Sequence, residues 1–90
     1  MKYITLDEER LGTRAEAHAY FRENVNTPSY YGNNLDALND WLSETDQDIR
    51  FILTGDCIRF MCTNDYAYRI LMVLGRAADT NPHIHITFRK

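Results

Sequence analysis

The sequence predicts an α/β fold: a three-stranded parallel sheet with helices packed on it, in the order βααβααβ. Three observations predict it. Short segments rich in β-formers stand near the start, in the middle and near the end of the chain; amphipathic helical patterns fill both intervals; and each interval is far too long for a hairpin. Strands joined by long helical crossovers run parallel. With 90 residues, 44% of them apolar, the chain has material for one modest core, so a single domain over residues 1–90 is expected. No apolar run approaches the roughly 18 residues of a membrane span, and the opening MKYITLDEER has no signal-like apolar stretch. A soluble, cytoplasmic protein is expected.

The elements follow in order. Lys2-Tyr3-Ile4-Thr5-Leu6 alternates and reads as the first strand, ended by the polar run Asp7 to Arg10. Thr13-Arg14-Ala15-Glu16 fits a capping box, and Ala17, Tyr20, Phe21 and Val25 then recur at helical spacing, which predicts a helix over 14–24. Pro28 breaks it, because it lacks an amide hydrogen and moves Thr27 away from helical geometry. A second helix over 34–44 buries Leu35, Leu38 and Leu42, with Trp41 flanking them. Ile49-Arg50-Phe51-Ile52-Leu53 is a nearly continuous apolar run, which suits a central strand covered on both faces. Residues 57–63 read as a short helix capped by Asp56, with a strand as the competing reading. Asn64 or Asp65 caps a longer helix with Tyr66, Ile70, Val73, Leu74 and Ala77 on one face, closed by Asn81-Pro82. His83 to Phe88 forms the last strand.

The net charge of −3 hides a segregation. From Glu23 to Asp48 there are six acidic residues and no Lys or Arg, so this stretch carries −6 and the remainder, with 10 basic against 7 acidic residues, carries +3. Such a block repels nucleic-acid phosphate and attracts basic surfaces. On the second helix Asp36, Asp40 and Glu44 fall at about 100°, 140° and 180° from Leu35, an acidic stripe nearly opposite the leucines. A solvated helix face would have the same spacing. Two like-charged i, i+4 pairs, however, each destabilise a helix by about 0.2–0.5 kcal/mol, and no Lys or Arg is interleaved to relieve them. Tyr30 and Tyr31 sit in the loop that runs into this helix, and an aromatic anchor beside single-sign charge is how a protein-binding hot spot is composed.

The remaining chemistry is sparse. Asp36 and Asp40 lie one turn apart, the spacing of an acid/base pair, but an exposed helix in a chain this small offers little cleft. His83 and His85 form an H-x-H pair that could ligate a metal, yet the alternation turns Ile84 and Ile86 inward and the histidines to solvent. His18 reads as a lone surface histidine, and Cys57 and Cys62, too few for a disulfide framework and without zinc spacing, read as reduced and buried. No phosphate-binding glycine motif is present. No cofactor is expected.

Residues 30–42, YYGNNLDALNDWL, resemble the signature Y-Y-G-x-N-L-D-A-L-x-D-x-L of the barstar family and meet every fixed position of it. The resemblance implies a barstar-like fold similar to the one read above. It implies an intracellular bacterial inhibitor of barnase-type, guanyl-preferring ribonucleases, not an enzyme, acting one-to-one. A monomer is the simplest state for an inhibitor whose functional face must stay free, and with the acidic block no direct nucleic-acid contact, and no membrane contact, is expected. Carried over, Asp40 would be the phosphate mimic at the centre, Asp36 the second charge contact and Tyr30 the aromatic one, with Asn34 and Ser43 near the rim. Asn39 stands where the best-known member has tryptophan, Glu44 adds an acid where that member has a small residue, and Arg76 reverses a glutamate. Three alternatives are an immunity protein or antitoxin against a different cationic nuclease toxin, a binder of another basic protein, and a small metal-dependent enzyme using Asp36, Asp40 and His85.

Overall fold

The structure, a computed structural model describing residues 1–90, has the expected order. The strands are β1 (Lys2–Thr5), β2 (Ile49–Thr54) and β3 (Ile84–Arg89); the helices are α1 (Arg14–Asn24), α2 (Leu35–Glu44), α3 (Gly55–Thr63) and α4 (Asp65–Thr80). A single 3-10 turn at Glu8–Arg10 follows β1. The sheet order is β1-β2-β3 with both pairs parallel, and Ile4, Phe51 and Ile86 align across it. No helix is long and apolar enough to cross a membrane.

Central β2 is covered on one face, where both had been expected. Ile49, Phe51 and Leu53 are fully buried, while Arg50, Ile52 and Thr54 on the opposite face are only half-buried. The strand order explains this. Two successive right-handed crossovers stepping in the same direction deliver every helix to the same side of the sheet. The open face carries Tyr3, Arg50 and His85 in one row and Thr5, Ile52 and Thr87 in the next, with Arg50 donating to the Thr87 hydroxyl at 2.6 Å.

Each helix starts on a side-chain cap. Thr13 Oγ1 accepts from the Glu16 amide, Asn34 Oδ1 from the Ala37 amide at 2.7 Å, and Asn64 Oδ1 from the Ala67 amide at 3.0 Å. The start of α3 is capped by Thr54, whose hydroxyl accepts from the Cys57 amide, and not by Asp56, which lies inside the first turn and there favours the helix dipole. The core is one cluster to which all four helices contribute, with Phe21 of α1 meeting Phe51 of β2 edge-on at 6.3 Å. Leu38 and Leu42 of α2 are fully buried, whereas Leu35 is half-buried. On α3, Cys57 and Met61 face the core with their sulfurs 3.7 Å apart, and burial pushes the Cys57 thiol up to about 11. Cys62 is exposed, not buried as expected: it follows Met61 by about 100° around the helix and so points outward.

Candidate functional site

Residues 26–34 connect α1 to α2 and decide what the start of α2 presents. The Tyr31 amide donates to the Pro28 carbonyl at 3.0 Å, closing a turn in which Tyr30 projects, 86% exposed, and Tyr31 folds back into the core. Asn33 follows with φ 54°, the left-handed region that asparagine tolerates better than most side chains. Arg14 Nε donates to the Asn33 carbonyl at 2.8 Å, and the Arg22 guanidinium donates to Asn33 Oδ1. Asn34 then caps α2 and its amide nitrogen donates to the Gly32 carbonyl at 3.3 Å.

The Tyr31 hydroxyl lies 2.6 Å from His18 Nδ1, and the Tyr66 hydroxyl of α4 lies 2.6 Å from His18 Nε2. His18 is therefore a fully buried residue and not the surface histidine expected from sequence. Burial first, then the nearby Arg14 and Arg22 cations, lower its pKa to about 4 and hold it neutral. A neutral imidazole donates through one nitrogen and accepts through the other, which is the pairing two tyrosine hydroxyls can complete. Burial in turn pushes the hydroxyls of Tyr31 and Tyr66 to higher pKa.

Helix α2 displays the acidic stripe along its outer side. Asp36, Asp40, Ser43 and Glu44 are exposed and Asn39 is half-buried. The helical angles order them: Asn39 and Asp36 lie toward α4, Asp40 in the middle, and Glu44 toward the Tyr30 loop. Consistent with this, Asp36 and Asn39 border a groove of about 900 Å³ with Leu71, Met72, Arg76 and Phe88, while Glu44, Tyr30 and Trp41 surround a shallow depression at the other edge. Asp36 to Glu44 covers about 12 Å along the helix axis. The far end of α2 is fixed by buried Asn81, whose Nδ2 donates to the Leu42 carbonyl at 2.7 Å and the Thr45 carbonyl at 2.9 Å. The same side chain accepts from the His83 amide, joining α2 to the turn before β3.

The six acids of the middle stretch divide into two kinds. Glu23 pairs with Arg10 at 3.0 Å, and Asp48 pairs with His83 Nδ1 at 2.7 Å, a hydrogen bond that holds its carboxyl below the usual range. Asp36, Asp40, Glu44 and Asp46 have no ion-pair partner. Of the sequence-predicted residues, Tyr30 and Glu44 come together at one edge and Asp36 and Asn39 at the other, with Asp40 between them. Asn34 and Ser43 are the exceptions in kind, since their side chains are engaged locally: Asn34 as the cap, Ser43 donating to the Asp40 carbonyl at 2.9 Å. Arg76 is exposed at the α4 side of the groove, so the face is acidic at its centre and mixed at that rim.

The sequence reading assigned no role to Arg14, His18 and Arg22, which hydrogen-bond residues 31 and 33, and gave Asn81 its place as the stop of α4 but not its tie to the end of α2. It also left His83 without an acidic neighbour, which the structure supplies as Asp48. No group of three His, Cys, Asp or Glu side chains lies close enough to share a metal ion.

A family model described as Barstar (barnase inhibitor) matches residues 1–89. No curated protein matches the chain.

Proposed function

The chain belongs to the barstar family, and from that premise we propose that it inhibits a barnase-type ribonuclease by covering the enzyme's cationic active site with α2 and the Tyr30 loop. The observation that carries this reading is the set of four carboxylates, Asp36, Asp40, Glu44 and Asp46, left without cationic partners on and just beyond an exposed helix. A free protein gains nothing from such repulsion. A site built to hold phosphodiester presents Arg, Lys and His side chains, and carboxylates on a helix capped at one end by Asn34 and tied at the other by Asn81 meet them with little conformational entropy to lose. Asp40, central on the face, takes the place of the phosphate; Asp36 makes the second charge contact; Tyr30 supplies apolar area at one edge and Glu44 a further charge beside it. Asn34, Asn39 and Ser43 complete the rim. Inhibition then needs no chemistry from the inhibitor, no metal and no cofactor, and one inhibitor blocks one enzyme.

Titration of a barnase-type ribonuclease acting on RNA tests the reading. Wild type should inhibit stoichiometrically. Asp40→Ala should bind at least about 2 kcal/mol more weakly, because it leaves the enzyme's cations buried and unpaired. An Asp40→Ala variant that inhibits as well as wild type removes Asp40 from the centre of the interface.

A second reading, immunity to a different cationic nuclease toxin, is favoured by one observation. Arg76 shares the α2–α4 groove with Asp36, which suits an enzyme with an acidic residue at that rim and a cationic centre. Inhibition of such a toxin without inhibition of the ribonuclease would select it. Calorimetric titration with zinc and magnesium decides the enzyme alternative, which requires measurable binding at Asp36 and Asp40.

A further inference from the structure

Arg14, His18 and Arg22 stand one helical turn apart on a single stripe of α1, and all three reach the residues just before α2. Arg14 and Arg22 grip the carbonyl and the side chain of Asn33, and His18 meets the hydroxyl of Tyr31. The opposite nitrogen of His18 meets Tyr66 of α4, so the stripe is itself held from a second helix. At its start the loop is held by the Thr27 amide on the Val25 carbonyl and by Gln47 Nε2 on the Asn26 carbonyl, and further on by the Tyr31 to Pro28 turn, the buried Tyr31 ring and the Asn34 to Gly32 contact. None of these holds Asn33, which occupies a backbone region that side chains rarely adopt unaided.

We propose that Arg14, His18 and Arg22 are positioning residues that clamp residues 30–33 from α1, so that Tyr30 is presented beside Glu44 before any partner arrives. The inference rests on the docking face proposed above, to which none of the three belongs. A tethered loop has already lost the freedom that an untethered one would give up on binding, so the clamp acts on affinity through preorganisation and not through contact. The charged and titratable groups facing His18 are consistent with this role. Arg14 and Arg22 on its own helix disfavour its protonation, while Tyr31 from the loop and Tyr66 from α4 need one nitrogen to accept and the other to donate.

The test uses Arg22→Gln, at an exposed position, and Tyr31→Phe, which keeps the ring in the core. Amide hydrogen exchange of the free protein gives the first readout. Exchange at the Tyr31 amide should rise at least about 10-fold in both variants with β2 amides unchanged; unchanged Tyr31 exchange overturns the clamp. The second readout is a double-mutant cycle on inhibition of a barnase-type ribonuclease. The factor by which Tyr30→Ala weakens inhibition should shrink at least about 3-fold in the Arg22→Gln background, while the Asp40→Ala factor stays as in wild type. An unchanged Tyr30→Ala factor would show that the arginine only stabilises the fold and would overturn the proposal. If wild type fails to inhibit the enzyme, the docking reading falls for that enzyme, and the exchange result alone decides the clamp.

Discussion

His18 lies between two tyrosine hydroxyls and beside two arginines, an environment in which the imidazolium has lost water and gained no anion. Its pKa near 4 against an unfolded value of 6.5 sets the sign of an acid response. Between those values the unfolded chain binds a proton that the folded chain refuses, so stability is full above pH 6.5 and falls as pH drops toward 4. The loss should reach about 3 kcal/mol by pH 4. Denaturant titrations across that range check it, and the slope should flatten in His18→Gln. His18 was not legible in the sequence as a structural residue, and Asn81 was legible only as the stop of α4, not as the tie to α2. Each is a buried polar side chain whose partners come from distant segments, and local periodicity carries no trace of such partners. The Asn81→Ala variant would leave the Leu42 and Thr45 carbonyls and the His83 amide without their partner. A loss of about 2 kcal/mol is expected, measurable by chemical denaturation, together with faster exchange in the last turn of α2.

Helix α2 was the most legible element, because its leucines and acids separate cleanly on the helical wheel and its signature residues are contiguous. What the wheel could not give was the direction in which each acid faces relative to neighbours outside the helix. That depends on α4 on one side and the Tyr30 loop on the other. Strand β2 was less legible. Its apolar run masked an alternation in which Arg50 and Thr54 mark the open face, and only the strand order shows that no helix reaches that side. The acidic stripe also carries a conflict between stability and binding. Glu44→Lys turns the Asp40–Glu44 repulsion into an attraction of the favoured orientation and places a cation in the last helical turn. It should therefore stabilise the free protein by about 0.5–1 kcal/mol. The same change should weaken binding to the ribonuclease, and thermal melts beside inhibition assays would separate the two effects.

At the scale of the whole molecule the unpaired charge is local. The carboxylates without ion-pair partners line and follow α2, while the arginines are spread over α1, α3, α4, the turn after β1 and, as Arg50 and Arg89, the open face of the sheet. A molecule arranged in this way approaches a cationic partner α2 first, so its association rate should fall as ionic strength rises and shortens the Debye length. Stopped-flow mixing with the ribonuclease at several salt concentrations checks this, and a rate indifferent to salt would mean that the acids act only after contact. The segregation was visible in the sequence as a block without Lys or Arg; which of its acids stay unengaged was not, since Glu23 pairs with Arg10 and Asp48 hydrogen-bonds His83 in the fold. The two cysteines have a practical consequence of their own. With Cys57 enclosed in the core and Cys62 on the outer side of α3, the natural chain offers maleimide reagents one attachment point. A fluorophore placed there would report complex formation by energy transfer to a labelled enzyme, with no engineered residue and no dye on the face that binds.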